Sequence, residues 1–453
     1  MDGDWERGAP LGASSGVRVT SIACGSSHSL ALLGTGMAEI SAVVCGAEFS
    51  VAMSHERQEV YSWGWGDFGR LGHGECNDVF IPRAIEALRG RAVVRVACGD
   101  THTLAATEAG ELYTFGRNSN GQLGHGTTDD SLAPRLVEAL KGQPVGSIAA
   151  GGEHSIVALR SGGAVSWGWG RYGNLGDGTR VDRTLPTQGQ PVASVSAGAE
   201  HSVAVTAAGA VFAWGWGRYG CLGDGAREDR WAPVQVNGLE GRVLRQVACG
   251  WRHTVVVDVD GGVYTFGWSK YGQLGHGDCQ DQLAAKAVEA LRGKRVMLVS
   301  GGWRHTVVAD EAGHTFSWGW NKFGQLGTGD TADTNLPKRV EGLEGGEVVL
   351  LACGWRHTLL GTSNGDVYSW GRGVNGQLGH NEQRDLLSPR RLEALSAQTI
   401  NLARLAATAG PTSSYVAPAD RYAVVPGGPP SPGLHSGMAV PEMPEPKRQR
   451  AKS

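Results

Sequence analysis

Between residues 243 and 288, apolar and polar positions alternate in short runs separated by glycine-rich turns. Runs at 243–249, 253–259 and 262–268 each carry the period of two expected of a strand, and a fourth, shorter run lies at 285–288. The unit recurs along the chain. Its central aromatic-Gly step falls at Trp63, Phe115, Trp167, Trp214, Phe266, Trp318 and Trp370, at intervals of 52 residues except for one of 47. A Gly-x-Leu-Gly turn follows each step, and then an aspartate, at Asp78, Asp130, Asp182, Asp229, Asp281, Asp333 and Asp385. A fixed period of this length marks radially repeated sheets, so the pattern predicts an all-β fold: a seven-bladed β-propeller of four-stranded blades over residues 17–395.

Both ends of the pattern are irregular. Cys24-Gly25 and Cys45-Gly46 mark the same turn only 21 residues apart, so residues 17–44 read as a truncated extra repeat. Only one inner strand is needed to close seven units into a ring. The strand at 39–46, continuous with the first full unit, is expected to take that place and leave the hairpin at 17–33 loosely held. Residues 1–16 read as a flexible leader. Residues 396–453, rich in Ala, Pro, Gly and Ser, read as a disordered partner-binding tail.

Composition narrows the function. The chain has 453 residues, 71 of them glycine, with 41 Lys+Arg against 44 Asp+Glu, a balance that does not favour a polyanion binder. No run approaches the length of a membrane span. Cys45, Cys98, Cys249 and Cys353 occupy one repeat position where other copies carry Ala or Gly, which reads as small buried thiols rather than a disulfide framework. Three segments match a dinucleotide fingerprint in letters, at 64–69, 168–173 and 215–220, but each leads into another turn and not a helix, so no cofactor is expected. Gly12-Ala13-Ser14-Ser15-Gly16 matches a nucleophile elbow only in letters, with no strand before it. His102, His154, His201, His253, His305 and His357 come one per unit and read as turn-bracing hydrogen bonders rather than metal ligands. No catalytic residues emerge, and the chain reads as a protein without enzymatic activity.

Chemistry concentrates just after the Cys-Gly turn. The two following residues are Ala47-Glu48, Asp100-Thr101, Gly152-Glu153 and Ala199-Glu200 in the early units, but Trp251-Arg252, Trp303-Arg304 and Trp355-Arg356 in the last three. A guanidinium near an indole face gains roughly 0.5 to 2 kcal/mol, and indoles absorb in the near ultraviolet. Trp303, in the middle unit, is expected to have indole neighbours on both sides and guanidinium neighbours from Arg252 and Arg304. One sector of the rim is acidic and the other cationic, which suits a two-fold dimer or, more plainly, a solvated rim. The periodic aspartates, Asp78 among them, read first as turn residues.

The triple Gly-Trp-Arg-His-Thr, the segment Gly64-Trp65-Gly66-Asp67-Phe68-Gly69-Arg70 and the tail segment Asp420-Arg421-Tyr422-Ala423-Val424-Val425-Pro426 together resemble the UV-B photoreceptors of plants and green algae, within the regulator-of-chromosome-condensation repeat family. That resemblance implies a photoreceptor without a bound chromophore, in which light converts a salt-bridged homodimer to monomers. Trp303 would be the chief sensor, Trp251 its close partner and Trp355 an auxiliary. Arg304, Arg252 and Arg356 would couple the indoles to the interface, with Asp67 and Asp78 as acidic partners and Arg117, Glu153 or Glu200, Arg171 or Arg218, and Lys270 as further contacts. The monomer would bind a WD40-type ubiquitin ligase, partly through Tyr422, Val425 and Pro426, and WD40 repressor proteins. Localisation in cytoplasm and nucleus and an indirect association with chromatin are carried with it. The chain departs from the family pattern in lacking the first blade's Trp-Gly step and in carrying the Trp-Gly-Trp-Gly-Arg-Tyr-Gly unit twice, at Trp167 and Trp214. Two other readings share the fold: a propeller interaction scaffold and a guanine-nucleotide exchange factor for a small nuclear GTPase.

Overall fold

The computed structural model describes residues 18–392, apart from 25–27, 35–41, 55–57, 192–193, 207–208, 344–345, 365, 375–376 and 381. The sequence expectations for the leader and for the tail, Tyr422, Val425 and Pro426 included, lie outside the described residues.

Seven four-stranded antiparallel sheets succeed one another along the chain, spanning 42–84, 93–136, 145–191, 194–235, 244–287, 296–339 and 348–391. We number them blades one to seven. In every blade the strands pair in chain order, each with the next, so a blade is a meander. The inner strands are buried on both faces because each blade is sandwiched between two others. Val255 and Val257 of blade five, for example, share one core with Val296, Val299, Val308 and Trp318 of blade six. The outer strands, such as Arg230–Gln235, are partly exposed, which is the reason hydrophobic alternation fades at the fourth strand of each unit.

Ahead of blade one lies a hairpin of β1 (Arg18–Cys24) and β2 (Ser29–Gly34), which form a separate two-stranded sheet. Blade one itself begins with β3 (Ala42–Cys45) and β4 (Phe49–Ser54). The expected closure by 39–46 is only half right: β3 is the inner strand of blade one, but the strand that meets the last blade is β1, which packs against β3 on one side and against Val348–Cys353 and His357–Thr362 on the other. The truncated repeat thus stands in the ring as an inner half-blade.

The turn that carries the Trp-Arg pairs is fixed by two glycines. Gly267, Gly319 and Gly371, each following a central aromatic, adopt φ of 108°, 109° and 103°, and a Cβ there would lie 2.5 to 2.7 Å from the carbonyl oxygens of Arg252, Arg304 and Arg356. Glycine therefore lets the end of the third strand seat against the Trp-Arg turn between the first and second strands. The second position is Gly250, Gly302 and Gly354 of the Cys-Gly or Gly-Gly step, where at Gly250 a Cβ would collide with the His253 ring at 2.1 Å.

Candidate functional site

In blades two to six the inner turn is held by a histidine. His253 Nε2 lies 3.0 Å from Thr306 Oγ1 of the next blade, and Thr306 Oγ1 donates to the Gln273 carbonyl at 2.8 Å. The same contact to a neighbouring hydroxyl is made by His102, His154, His201 and His305. These rings are wholly buried, and burial pushes His102 and His201 down to about 4 and His154, His253, His305 and His357 down to about 3. His102, His154, His201, His253 and His305 act as neutral braces that register one blade on the next.

On the rim fixed in this way, the three consecutive Trp-Arg turns bring their indoles together. The Trp303 ring centroid lies 5.5 Å from that of Trp355, stacked at 22°, and 5.5 Å from that of Trp251, tilted at 52°. A second row, contributed by the loop after each central aromatic, runs beside them: Trp268 packs edge-on against Trp251 and Trp320 edge-on against Trp303. This row continues through Tyr271 and Phe323 in one direction and through Tyr219, Trp216, Tyr172 and Trp169 in the other. Edge-on and offset contacts at these separations are the favoured geometries for aromatic pairs.

The guanidinium groups lie among the rings. The Arg304 guanidinium carbon is 3.8 Å from the Trp303 centroid and within about 5.6 Å of Trp251, Trp268, Tyr271 and Trp320. Its Nη1 donates to Tyr271 Oη at 2.7 Å. Arg252 lies 3.8 Å from Trp251 and 4.4 Å from Trp216. Arg356 lies 5.4 Å from Trp303 and 5.1 Å from Phe323. The expectation that Arg252 and Arg304 flank Trp303 is therefore corrected to Arg304 and Arg356. Each arginine leans toward the preceding blade, so Trp303 receives its own blade's cation and the next blade's.

Arg252 and Arg304 are partly desolvated, and burial lowers the pKa of both. Among the described residues neither makes an ion pair within 4.0 Å with a carboxylate, and the Nε of each is buried without a hydrogen-bond partner. Glu200 lies near enough to Arg252 for mutual attraction, but burial dominates and holds its carboxyl above the usual range.

The other sequence-predicted residues divide. Asp67 is exposed, 3.9 Å from Arg70, in a short 3-10 turn whose Phe68 takes φ 62°. Arg117 stands over the Phe68 ring at 5.1 Å and pairs with Glu153 at 3.4 Å, and Glu153 also accepts from Asn120 Nδ2. Arg171, Arg218 and Lys270 are exposed on the rim, with Arg218 and Lys270 beside Tyr219 and Tyr271. Asp78 Oδ1 accepts from the Gly66 amide at 2.9 Å, the bond that Asp130, Asp182, Asp229, Asp281, Asp333 and Asp385 make in their own blades. It is a turn residue like the others, with its side chain on the exposed edge.

Sequence reasoning missed Arg372, 4.3 Å over Phe323, and the bond from Arg304 to Tyr271. The only available signal for either was periodic position, because partners 49 and 33 residues apart in neighbouring blades leave no local pattern.

Residues 58–106, 109–158 and 161–205 match the regulator of chromosome condensation (RCC1) repeat, and 186–416 match the RCC1-like domain. The chain is 43% identical over 393 residues to the Ultraviolet-B receptor UVR8 of Arabidopsis thaliana, covering 86% of this chain and 78% of that protein. It is 31% identical to the Protein RCC2 homolog of Danio rerio, over 76% of this chain and 65% of that one. Among solved structures it superposes on human WBSCR16 with a TM-score of 0.64 at 24% identity, covering 74% of this chain and 93% of that one. It superposes on Prp20p of Saccharomyces cerevisiae with 0.62 at 22% identity, covering 74% and 86%. These two likenesses speak to the fold alone.

Proposed function

The chain belongs to the regulator of chromosome condensation (RCC1) repeat family, and from that premise we propose that it is an ultraviolet-B receptor whose chromophore is its own tryptophan array. The observation that carries this reading is the cluster of Trp251, Trp303 and Trp355 with a guanidinium 3.8 Å from each of the first two rings. Stacked indoles share excitation, and a cation against the ring face is positioned to respond when excitation redistributes ring charge. Neither a scaffold nor an exchange factor gives a reason to concentrate three aromatic-cation pairs in adjacent blades, and no catalytic function is assigned.

Arg252 and Arg304, partly buried and with no carboxylate within ion-pair distance among the described residues, favour an anion from outside, which supports a homodimer in which the acidic sector of one protomer meets the cationic sector of the other. Light-driven transfer of an electron or proton from the array to an interfacial pair would leave one buried charge uncompensated. Such a loss costs roughly 3 to 5 kcal/mol, and repeated over two symmetric rims it would release the monomers. The monomer then engages a WD40-type ubiquitin ligase, with the segment containing Tyr422, Val425 and Pro426 as a second contact, and acts in cytoplasm and nucleus. No helix among the described residues is long and apolar enough to cross a membrane. Size-exclusion chromatography of the purified, cofactor-free protein before and after UV-B tests the reading: a dark dimer that becomes a monomer supports it, and an elution volume indifferent to light overturns it.

A further inference from the structure

Three arginines follow one another on the rim, and the rings they lean toward differ in one atom. Tyr219, Tyr271 and Phe323 occupy one repeat position in successive blades. Arg252, Arg304 and Arg356 approach these rings at 5.8, 5.0 and 5.1 Å respectively. The middle contact is also a hydrogen bond, in which Arg304 Nη1 donates to Tyr271 Oη at 2.7 Å. Phe323 has no hydroxyl to offer Arg356. Among the described residues the Tyr219 hydroxyl, though beside Arg252, makes no bond to it.

Arg304 is the one of the three that needs such a bond. Burial lowers its pKa, and like charge from Arg252 and Arg356 on either side lowers it further, while the Tyr271 oxygen works the other way. Arg252 has the Glu200 carboxyl near enough for attraction, a help that Arg304 lacks among the described residues. The Nε of Arg304 is already buried among the rings without an acceptor. Taking away the phenol oxygen would leave Nη1 without its partner as well, and an unmade bond to a charged group costs more than one to a neutral group. The side chain is partly exposed, so water is within its reach. Without the hydroxyl, the guanidinium is expected to turn outward and give up its 3.8 Å contact with Trp303.

We propose that Tyr271 is a positioning residue for the light response: its hydroxyl seats the Arg304 guanidinium on the face of Trp303 and thereby couples excitation of that indole to the rim. The proposal rests on the receptor reading given above. The ring of Tyr271 has a separate duty, packing edge-on against Trp268 at 5.6 Å and tilted against Trp320 at 6.0 Å, so ring and hydroxyl can be separated by substitution. A comparison bond exists away from the tryptophan array. In blade two, Arg91 Nη1 donates to Tyr113 Oη at 2.7 Å, with the guanidinium carbon 4.9 Å from the ring.

Tyr271→Phe removes the oxygen and keeps the ring. In the full chain it should leave the far-ultraviolet circular dichroism unchanged and raise the UV-B dose for half-monomerisation by about tenfold or more, the factor carried by one lost hydrogen bond to a charged group. Tyr113→Phe breaks the same kind of bond outside the array and should leave the dose as it was. A double-mutant cycle on tryptophan fluorescence lifetimes then separates positioning from packing. Tyr271→Phe should change the lifetimes of the otherwise unsubstituted chain and leave those of an Arg304→Gln chain unaltered. An unchanged dose with Tyr271→Phe, or a lifetime change of the same size with and without Arg304, overturns the inference. A chain that does not monomerise under UV-B at all sinks the receptor reading instead, and the cycle still decides: coupling between positions 271 and 304 keeps Tyr271 as the seat of Arg304, and zero coupling removes it.

Discussion

Trp303 differs from its two repeats in one respect: it alone has a Trp-Arg indole on either side. Trp303→Phe keeps a ring in the slot, so it should preserve the dark oligomer and the far-ultraviolet circular dichroism while abolishing the change in elution after UV-B. Full monomerisation of that variant would move the sensor to Trp251 or Trp355. Asp78 can be separated from its repeats by charge. Asp78→Asn retains an acceptor for the Gly66 amide and Asp78→Ala does not, so if Asp78 serves only the turn, the alanine variant should lose about 1 kcal/mol in urea unfolding and the asparagine variant much less, with the dimer equally strong in both. A dimer weakened by asparagine would make the carboxylate an interface group. At this scale the sequence was legible in residue type and turn position, since Trp251, Trp303, Trp355 and the aspartates stand where periodicity puts them. Which ring each arginine covers was not, because the lean of Arg304 and Arg356 toward the preceding blade depends on inter-blade geometry.

The blade as an element was legible almost strand for strand, because its inner strands alternate and its turns need glycine. The half-blade was less so: two Cys-Gly turns 21 residues apart announced a deletion, but nothing local says whether a surplus hairpin stays in the ring or falls out of it. What joins one element to the next is the neutral histidine, and this has a pH consequence. In the unfolded chain these rings titrate near the ordinary 6.5, whereas in the fold they are held down to about 3 or 4. Between those limits the unfolded state binds more protons. The stabilisation is therefore full above pH 6.5 and is lost as pH falls toward the folded values, at up to about 1.4 kcal/mol per pH unit for each histidine. Urea unfolding at pH 7, 6 and 5 should show stability falling steeply with acid, and His253→Gln, which keeps a donor for Thr306, should reduce that slope by about one proton. A stability independent of pH over this range would mean that the rings are protonated or accessible in the fold.

At the scale of the whole molecule, the duplicated unit and the half-blade together decide which charges can meet. Around the rim stand the half-blade, then blades one to four with Glu48 and Asp67, Asp100, Glu153 and Glu200, then blades five to seven with Arg252, Arg304 and Arg356. A two-fold axis lying in the plane of the rim pairs blades in reversed order. One register sets blade one against blade six, two against five and three against four, and leaves Arg356 facing the half-blade, whose turn carries Ser26-Ser27 in place of a carboxylate. The register one step along sets blade one against seven, two against six and three against five, so that every Trp-Arg turn faces a blade bearing an acid. The second is favoured because it sets an acidic residue opposite Arg252, Arg304 and Arg356 alike. Under it, Asp67→Arg and Arg356→Asp should each weaken the dark dimer, and the two combined should restore it, whereas Asp67→Arg combined with Arg304→Asp should not. Sedimentation equilibrium at low salt reads the difference, and raising the salt should weaken the rescued dimer together with the unsubstituted one. Rescue by the Arg304 exchange instead would place blade one opposite blade six and leave Arg356 outside the charge match.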